Sequence, residues 1–134
     1  MKMAVLGLDF GLARTGVAVS DEMEAFAVPL RAVPTSQLLD FLIEFREQES
    51  FRLIVLGYPL SLKGHGNPMT QKVDEFHQIL ISKGFEVFLF DERFSTKRAK
   101  SNLKEAGISE KRQKKIKDEM AATVLLQDYL DSKT

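Results

Sequence analysis

The chain contains no cysteine, so neither a disulfide nor a thiolate metal site can form, in keeping with a reducing compartment. No apolar stretch is long enough to span a bilayer, and Met1 leads into a strand pattern without a signal peptide. A cytoplasmic protein with no membrane partner is the expectation. Net charge is missing as well, because 19 basic and 19 acidic side chains cancel. Repeats, low-complexity tracts and linkers are absent, and 134 residues suit one domain, 1–134, with a single core.

The zero net charge conceals an asymmetry. Residues 93–117 carry ten bases and two acids, a local charge of +8, against nine bases and seventeen acids elsewhere. Such a segment reads either as an electrostatic footprint for phosphates or as a solvated pair of lysine-rich helices.

Hydrophobic periodicity orders the chain as β-β-β-α-β-α-β-α-α. Strands are expected at 3–10, 15–20, 25–33, 51–56 and 85–90, the first three joined by connections short enough for hairpins. Ser36 is expected to cap a helix whose apolar face is Leu38, Phe41, Leu42 and Phe45. Asn67 and Pro68 open a second helix with Met69, Val73, Phe76 and Leu80 inward, ended by Gly84. A third helix is expected at 96–106 and a last one from Ser109 to about Leu130. Three meandering strands followed by right-handed crossovers give an α/β fold: a mixed five-stranded sheet of order 3-2-1-4-5, strand 2 antiparallel, with helices on both faces. Functional groups then collect outside the carboxyl ends of strands 1 and 4.

Asp9 is the most informative residue. It ends an apolar strand and is followed by Gly11, Arg14 and Gly16, which let backbone pass close to the acid. An acid on a strand that reads as buried is costly unless paired. It is either part of a metal or phosphate site or a cap for the turn. Asp91 and Glu92 follow strand 5 at the same sheet edge, and there an ion pair with Arg93 is the alternative. Asp118 falls in an apolar helical arc with Ala121, Ala122, Leu125 and Tyr129, although Lys114 and Lys115 stand at i−4 and i−3 as ordinary partners. Three acids converging from three elements need a counter-charge, and oxygen-only ligands point to Mg²⁺ or Mn²⁺.

Four stretches carry a family resemblance: Gly7-Leu-Asp9-Phe-Gly11 with Arg14-Thr-Gly16-Val-Ala18; Val55-Leu-Gly57-Tyr-Pro59; Asp91-Glu92-Arg93-Phe-Ser95-Thr96; and Asp118-Glu-Met-Ala121-Ala122 with Leu125-Leu126-Gln127. In this order and spacing the sequence resembles the YqgF/RuvX family of RNase H-like fold, described as pre-16S rRNA nucleases and as Holliday-junction-resolvase-like. Lys63 departs from the pattern, standing where relatives often carry an acid.

The resemblance implies a metal-dependent endonuclease hydrolysing phosphodiester bonds in 5′-end processing of precursor 16S rRNA, with Asp9, Glu92 and Asp118 as catalytic residues and metal ligands. Two Mg²⁺ or Mn²⁺ ions would share Asp9, and Asp91 is the second candidate for the place of Glu92. Arg14, Arg93, Lys114 and Lys115 are candidate phosphate-binding residues. Precursor rRNA is the expected partner, alone or in ribosomal precursor particles, with branched DNA as the alternative substrate. Two other classes stay open: an actin-like ATPase, which needs two such domains, and a non-catalytic nucleic-acid-binding assembly factor. His65 and Tyr58 are candidates for nucleic-acid contact, or else an inert histidine and a packed tyrosine.

Overall fold

A computed structural model describes residues 4–59, 66–91 and 110–133, and of 110–119 the helical backbone alone. The expected helix at 96–106 lies outside the described residues.

Five strands form one sheet: β1 (Ala4–Asp9), β2 (Arg14–Ser20), β3 (Ala27–Pro34), β4 (Phe51–Tyr58) and β5 (Val87–Asp91). Their order is β3-β2-β1-β4-β5, as expected. The β1/β2 and β2/β3 pairs are antiparallel, and β1/β4 and β4/β5 are parallel. Among the described residues three helices flank it: α1 (Leu38–Gln48), α2 (Pro68–Ser82) and α3 (Glu110–Ser132). No helix among the described residues is long and apolar enough to cross a membrane.

Alternation along β1 divides the core in two. Leu6 and Leu8 point toward α1 and α2, packing with Leu38, Leu42, Ile54, Leu56, Val73 and Leu80. Val5 points the other way, into a cluster with Ala18, Val55, Ala122, Leu126 and Tyr129 beneath α3. The continuous apolar runs of β1 and β4 are therefore those of central strands covered on both faces. Each fully buried leucine contributes on the order of 1.5–3 kcal/mol.

The second helix begins and ends as its sequence predicts. Asn67 Oδ1 accepts from the Thr70 N–H at 3.1 Å while Thr70 Oγ1 accepts from the Asn67 N–H at 3.0 Å, with Pro68 at the first helical position. Gly84 takes φ +86°. The Phe85 N–H reaches Leu80 O at 3.1 Å and the Gly84 N–H reaches Ile81 O at 3.0 Å, a doubly bonded C-terminal cap. That cap explains why β5 starts at Val87 rather than at Phe85, which closes the helix instead.

Further boundaries differ from expectation, among them the end of β4, which runs on through Gly57 and Tyr58 instead of stopping at residue 56. Ser36 does not cap α1: residues Thr35–Gln37 form a 3₁₀ turn, and Gln37 precedes the helix without a side-chain cap bond. Thr35 is held by the turn after β1, which draws the chain into the tighter helix first. Strand 3 starts at Ala27 rather than residue 25. Asp21 Oδ1 accepts from the N–H groups of Ala25 and Phe26 at 2.8 and 3.0 Å, so those residues belong to the turn.

Glu24, at φ 55° in that turn, joins three distant elements. Its carboxylate pairs with Arg52 on β4, through Nε at 2.9 Å and through Nη2, and with Lys133 Nζ at 2.8 Å. Hydrogen bonds from Arg52, then Lys133, hold its carboxyl down at about 2, against an ordinary 4.5. A depressed acid stabilises the fold above its unfolded value and loses that contribution as pH falls from about 4.5 toward 2. Glu24→Gln is therefore expected to lower stability by about 1–2 kcal/mol at pH 7, allowing for solvent screening. In thermal melts its Tm gap from wild type should narrow steadily below pH 4.5; a gap independent of pH would refute the assignment.

Candidate active site

The carboxyl ends of the three parallel strands make one rim of the sheet. Asp9 is the last residue of β1, and the register Leu8↔Leu56 places it level with Gly57 of β4. On its other side it pairs with Gly16 of β2. Both lateral neighbours of Asp9 are therefore glycines, which leave space beside the acid where any side chain would fill it. Asp9 is half-buried, and among the described residues no side chain donates a hydrogen bond to its carboxylate.

Strand alternation sets which face each acid takes. Val5 lies under α3, and by the two-residue repeat Gly7 and Asp9 follow on that face. On β5, Phe88 and Phe90 touch Tyr129 of α3, with ring centroids at 5.2 and 6.2 Å. Val87 and Leu89 pack on the α1/α2 side, and Asp91, two residues on, belongs with them. Asp91 therefore shares the rim with Asp9 but not its face. Glu92 and Arg93 lie outside the described residues, as does His65.

The approach of α3 to β1 is governed by Gly7. A Cβ there would sit 2.7 Å from Leu126 Cβ and 3.2 Å from Ala122 O. Only a glycine permits this contact, and of the two alanines expected to let the helix lie close, Ala122 is the one whose backbone reaches Gly7. The direction of α3 is fixed at its other end. The Gln127 amide accepts from the Ala27 N–H and donates to Ala25 O, both at 2.9 Å, standing in for a strand partner at the start of β3. Lys133 reaches Glu24 close by. These ties hold the C-terminal turns of α3 at the amino end of β1, so its N-terminal turns run toward the Asp9 rim. Position 118 is one turn before Ala122 along this helix. Lys114 and Lys115 lie a further turn back.

Arg14 opens β2 at the same rim and is exposed. The turn leading to it is closed by a ring of hydrogen bonds. Thr35 Oγ1 donates to Gly11 O at 2.6 Å, leaving the Thr15 hydroxyl to donate to Thr35 Oγ1 at 2.9 Å, while the Gly11 N–H reaches Thr15 Oγ1 at 3.4 Å. Gly11 is obligatory, since a Cβ would lie 2.3 Å from Arg14 O. Thr15 is fully buried, and the ring holds the chain on leaving Asp9. Sequence reasoning passed over both threonines, because a ring that joins positions 24 apart leaves no local signature. Tyr58 is a packed rim residue: its hydroxyl donates to Asp74 Oδ2 at 3.2 Å, and its ring lies on the α1/α2 core. Desolvation and then Asp74 raise its pKa.

The donor set can be tested against a divalent cation. Among the described residues there is no cluster of three metal-ligating side chains. Asp9 nevertheless fits one arm of an oxygen-only site, being half-buried, without a side-chain donor among the described residues, and bordered by glycines on the face that α3 covers.

Comparison with known proteins agrees with this architecture. The model of the RuvX family, described as Holliday junction resolvase, matches residues 3–132. Proteins provisionally named pre-16S rRNA nucleases are similar along nearly their whole length. The one from Desulfitobacterium hafniense is 41% identical, covering 96% of this chain and 92% of its own. Those from Flavobacterium johnsoniae and Dictyoglomus thermophilum are 36% and 38% identical, each covered to 96%. Among solved structures, Thermus thermophilus RuvC in complex with a Holliday junction substrate aligns over 98% of this chain and 95% of that one, with a TM-score of 0.53 at 18% identity. That likeness shows the RNase H-like fold.

Gly7→Ala is expected to cost about 1–3 kcal/mol in urea unfolding by overpacking against Leu126. Gly66→Ala, whose Cβ would meet only Thr70 at 3.6 Å, should change stability by less than about 0.5 kcal/mol. Equal effects would show that the β1–α3 approach has slack.

Proposed function

Since the chain belongs to the RuvX family, we propose that it is a divalent-metal-dependent endonuclease that hydrolyses phosphodiester bonds in the maturation of the 5′ end of precursor 16S rRNA. The observation that carries this reading is the placement of Asp9. It stands between two glycines at the carboxyl rim, on the sheet face toward which α3 brings position 118.

Asp9, Glu92 and Asp118 are the proposed catalytic residues and the holders of Mg²⁺ or Mn²⁺. Assignment to Glu92 rather than Asp91 is supported by the Asp91 position on the opposite face. Two ions bound there would supply an activated water and neutralise charge at the leaving oxygen. The protein's own part is positioning. The glycine-flanked strand end gives the scissile phosphate access to Asp9, and the Gly11–Thr15–Thr35 ring holds the turn that presents Arg14. Arg14 and Arg93 suit phosphate oxygens through their planar guanidinium groups. Lys114 and Lys115, in the N-terminal part of α3, would neutralise the backbone further along. A precursor rRNA, free or in ribosomal precursor particles in the cytoplasm, is the proposed partner.

A branched DNA substrate is the second reading, favoured by the family's description and by the RuvC-like fold. One cleavage assay separates the two: purified protein with Mg²⁺ or Mn²⁺ is offered a precursor rRNA 5′ leader and a four-way DNA junction. Asp9→Asn and Asp118→Asn are each expected to lose more than about a hundredfold in rate while still binding substrate, since metal-borne charge stabilisation contributes several kcal/mol. A chelator should abolish cleavage. Activity that survives the chelator or the Asp9→Asn change would overturn the proposal, and binding without cleavage of either substrate by wild type would leave a non-catalytic binding module.

Replacing Lys114 and Lys115 together by alanine should flatten the salt dependence of binding. The expected change in the logarithmic slope is about 1–2 units, up to one per lost phosphate contact. An unchanged slope would place the nucleic acid elsewhere.

A further inference from the structure

At the end of the sheet opposite Asp9, five residues back along β1 and so about 16 Å away, lies a cleft of about 330 Å³. That is near the lower limit of pockets that hold ligands, roughly 300–1,000 Å³. Its apolar walls are Val19 of β2, Leu30 of β3 and Phe45 of α1, and its rim carries Asp21, Glu22 and Glu49. The floor is firm: Ser20 Oγ, buried beneath it, accepts from the Val5 N–H at 2.8 Å. Phe45 is braced by Phe41 and Phe51, with ring centroids at 5.7 and 5.9 Å.

The apolar surface continues beyond the cleft. Met23, Phe26, Val28 and Leu30 are 83%, 69%, 52% and 38% exposed, and all four fall within eight residues of the β2–β3 turn and the edge strand. Single exposed apolar residues need no explanation, whereas a contiguous run beside a polar-rimmed cleft marks an interaction surface.

The charge around it is mostly negative, with Glu24 answered by Arg52 and Lys133. Residues 20–50 contain seven acids and two bases. Both bases are turned to other duties. Arg46 stacks over the Phe85 ring at 4.1 Å and donates to Lys83 O at 3.0 Å, and Arg31 lies over the Phe41 ring at 5.5 Å. Glu47 and Glu49 stand at the C-terminal end of α1, where the helix dipole is itself negative. The Phe26 and Ala25 N–H groups hold the Asp21 carboxyl below its ordinary range, so it stays anionic.

We propose that this cleft binds a protein segment in which apolar side chains alternate with lysine or arginine. An apolar side chain fills the space between Val19, Leu30 and Phe45, and the flanking cations meet the carboxylates of the rim. Nucleic acid is excluded by the sign of the charge. The two ends of the sheet thus take opposite partners, a polyanion at the Asp9 rim and a basic polypeptide here. This assignment stands without the nuclease reading.

The test is an NMR titration of the full ¹⁵N-labelled chain with three synthetic hexapeptides, one alternating lysine and leucine, one alternating glutamate and leucine, and one alternating lysine and serine. The lysine–leucine peptide is expected to shift the amides of Val19, Leu30, Phe45 and Glu49, and the other two to bind at least tenfold more weakly. Leu30→Ser and Glu49→Lys, both at exposed positions, should each weaken binding about tenfold or more with the amide spectrum elsewhere unchanged. Equal binding of the lysine–serine peptide would reduce the effect to bulk charge and overturn the proposal. So would shifts confined to other surfaces, undiminished binding by both variants, no binding by wild type, or concentration-dependent self-association through Leu30.

Discussion

The closeness of β1 and α3 at Gly7 is the constraint on which the rest of the structure depends. A residue with any side chain at position 7 would displace Leu126, and with it the helix that covers β1, β2 and β3. Close packing makes such interfaces discrete rather than elastic, so the helix either seats fully or not at all. Seating it aligns the ladder of contacts from Ala122 to Leu130 and commits its N-terminal turns to the sheet's carboxyl rim.

Small residues recur wherever this geometry is decided. Gly7 admits the helix, Gly11 admits the Arg14 carbonyl, and Gly16 and Gly57 clear the flanks of Asp9. The shape of this rim depends on space withheld from side chains as much as on the side chains themselves. The opposite end of the sheet is built differently, with long charged groups. Glu24, Arg52 and Lys133 tie the β2–β3 turn, β4 and the end of α3 into one electrostatic knot.

Much of this was legible in the sequence, for identifiable reasons. The doubly covered strands announced themselves as unbroken apolar runs, and Asn67, Pro68 and Gly84 marked both ends of α2 through local chemistry. The strand order followed from short connections between the first three strands and right-handed crossovers to the last two. What stayed hidden depends on partners far along the chain. Ser36 had the right side chain for a cap, but Thr35 was already claimed by Gly11. Phe85 read as the start of β5, yet its N–H closes α2. The face taken by Asp91 could not be chosen until β5 was registered against β4. At the site itself, Asp9 was conspicuous as an acid on an apolar strand, whereas Thr15 and Thr35, which brace its turn, are ordinary strand and loop residues in the one-dimensional pattern.

The Gln127 amide bonds to Ala25 and Ala27 across about a hundred positions of sequence. The β1–β2–β3 meander, by contrast, is made of neighbours. During synthesis the first three strands can therefore pair as soon as they emerge from the ribosome, while the apolar side of β1 stays bare until the final helix is translated. A nascent or C-terminally clipped chain would present Val5, Ala18 and Val55 to solvent, with a carboxylate at the strand end and no helix over it. The covering of that rim thus waits on α3, in the order in which the polypeptide is made.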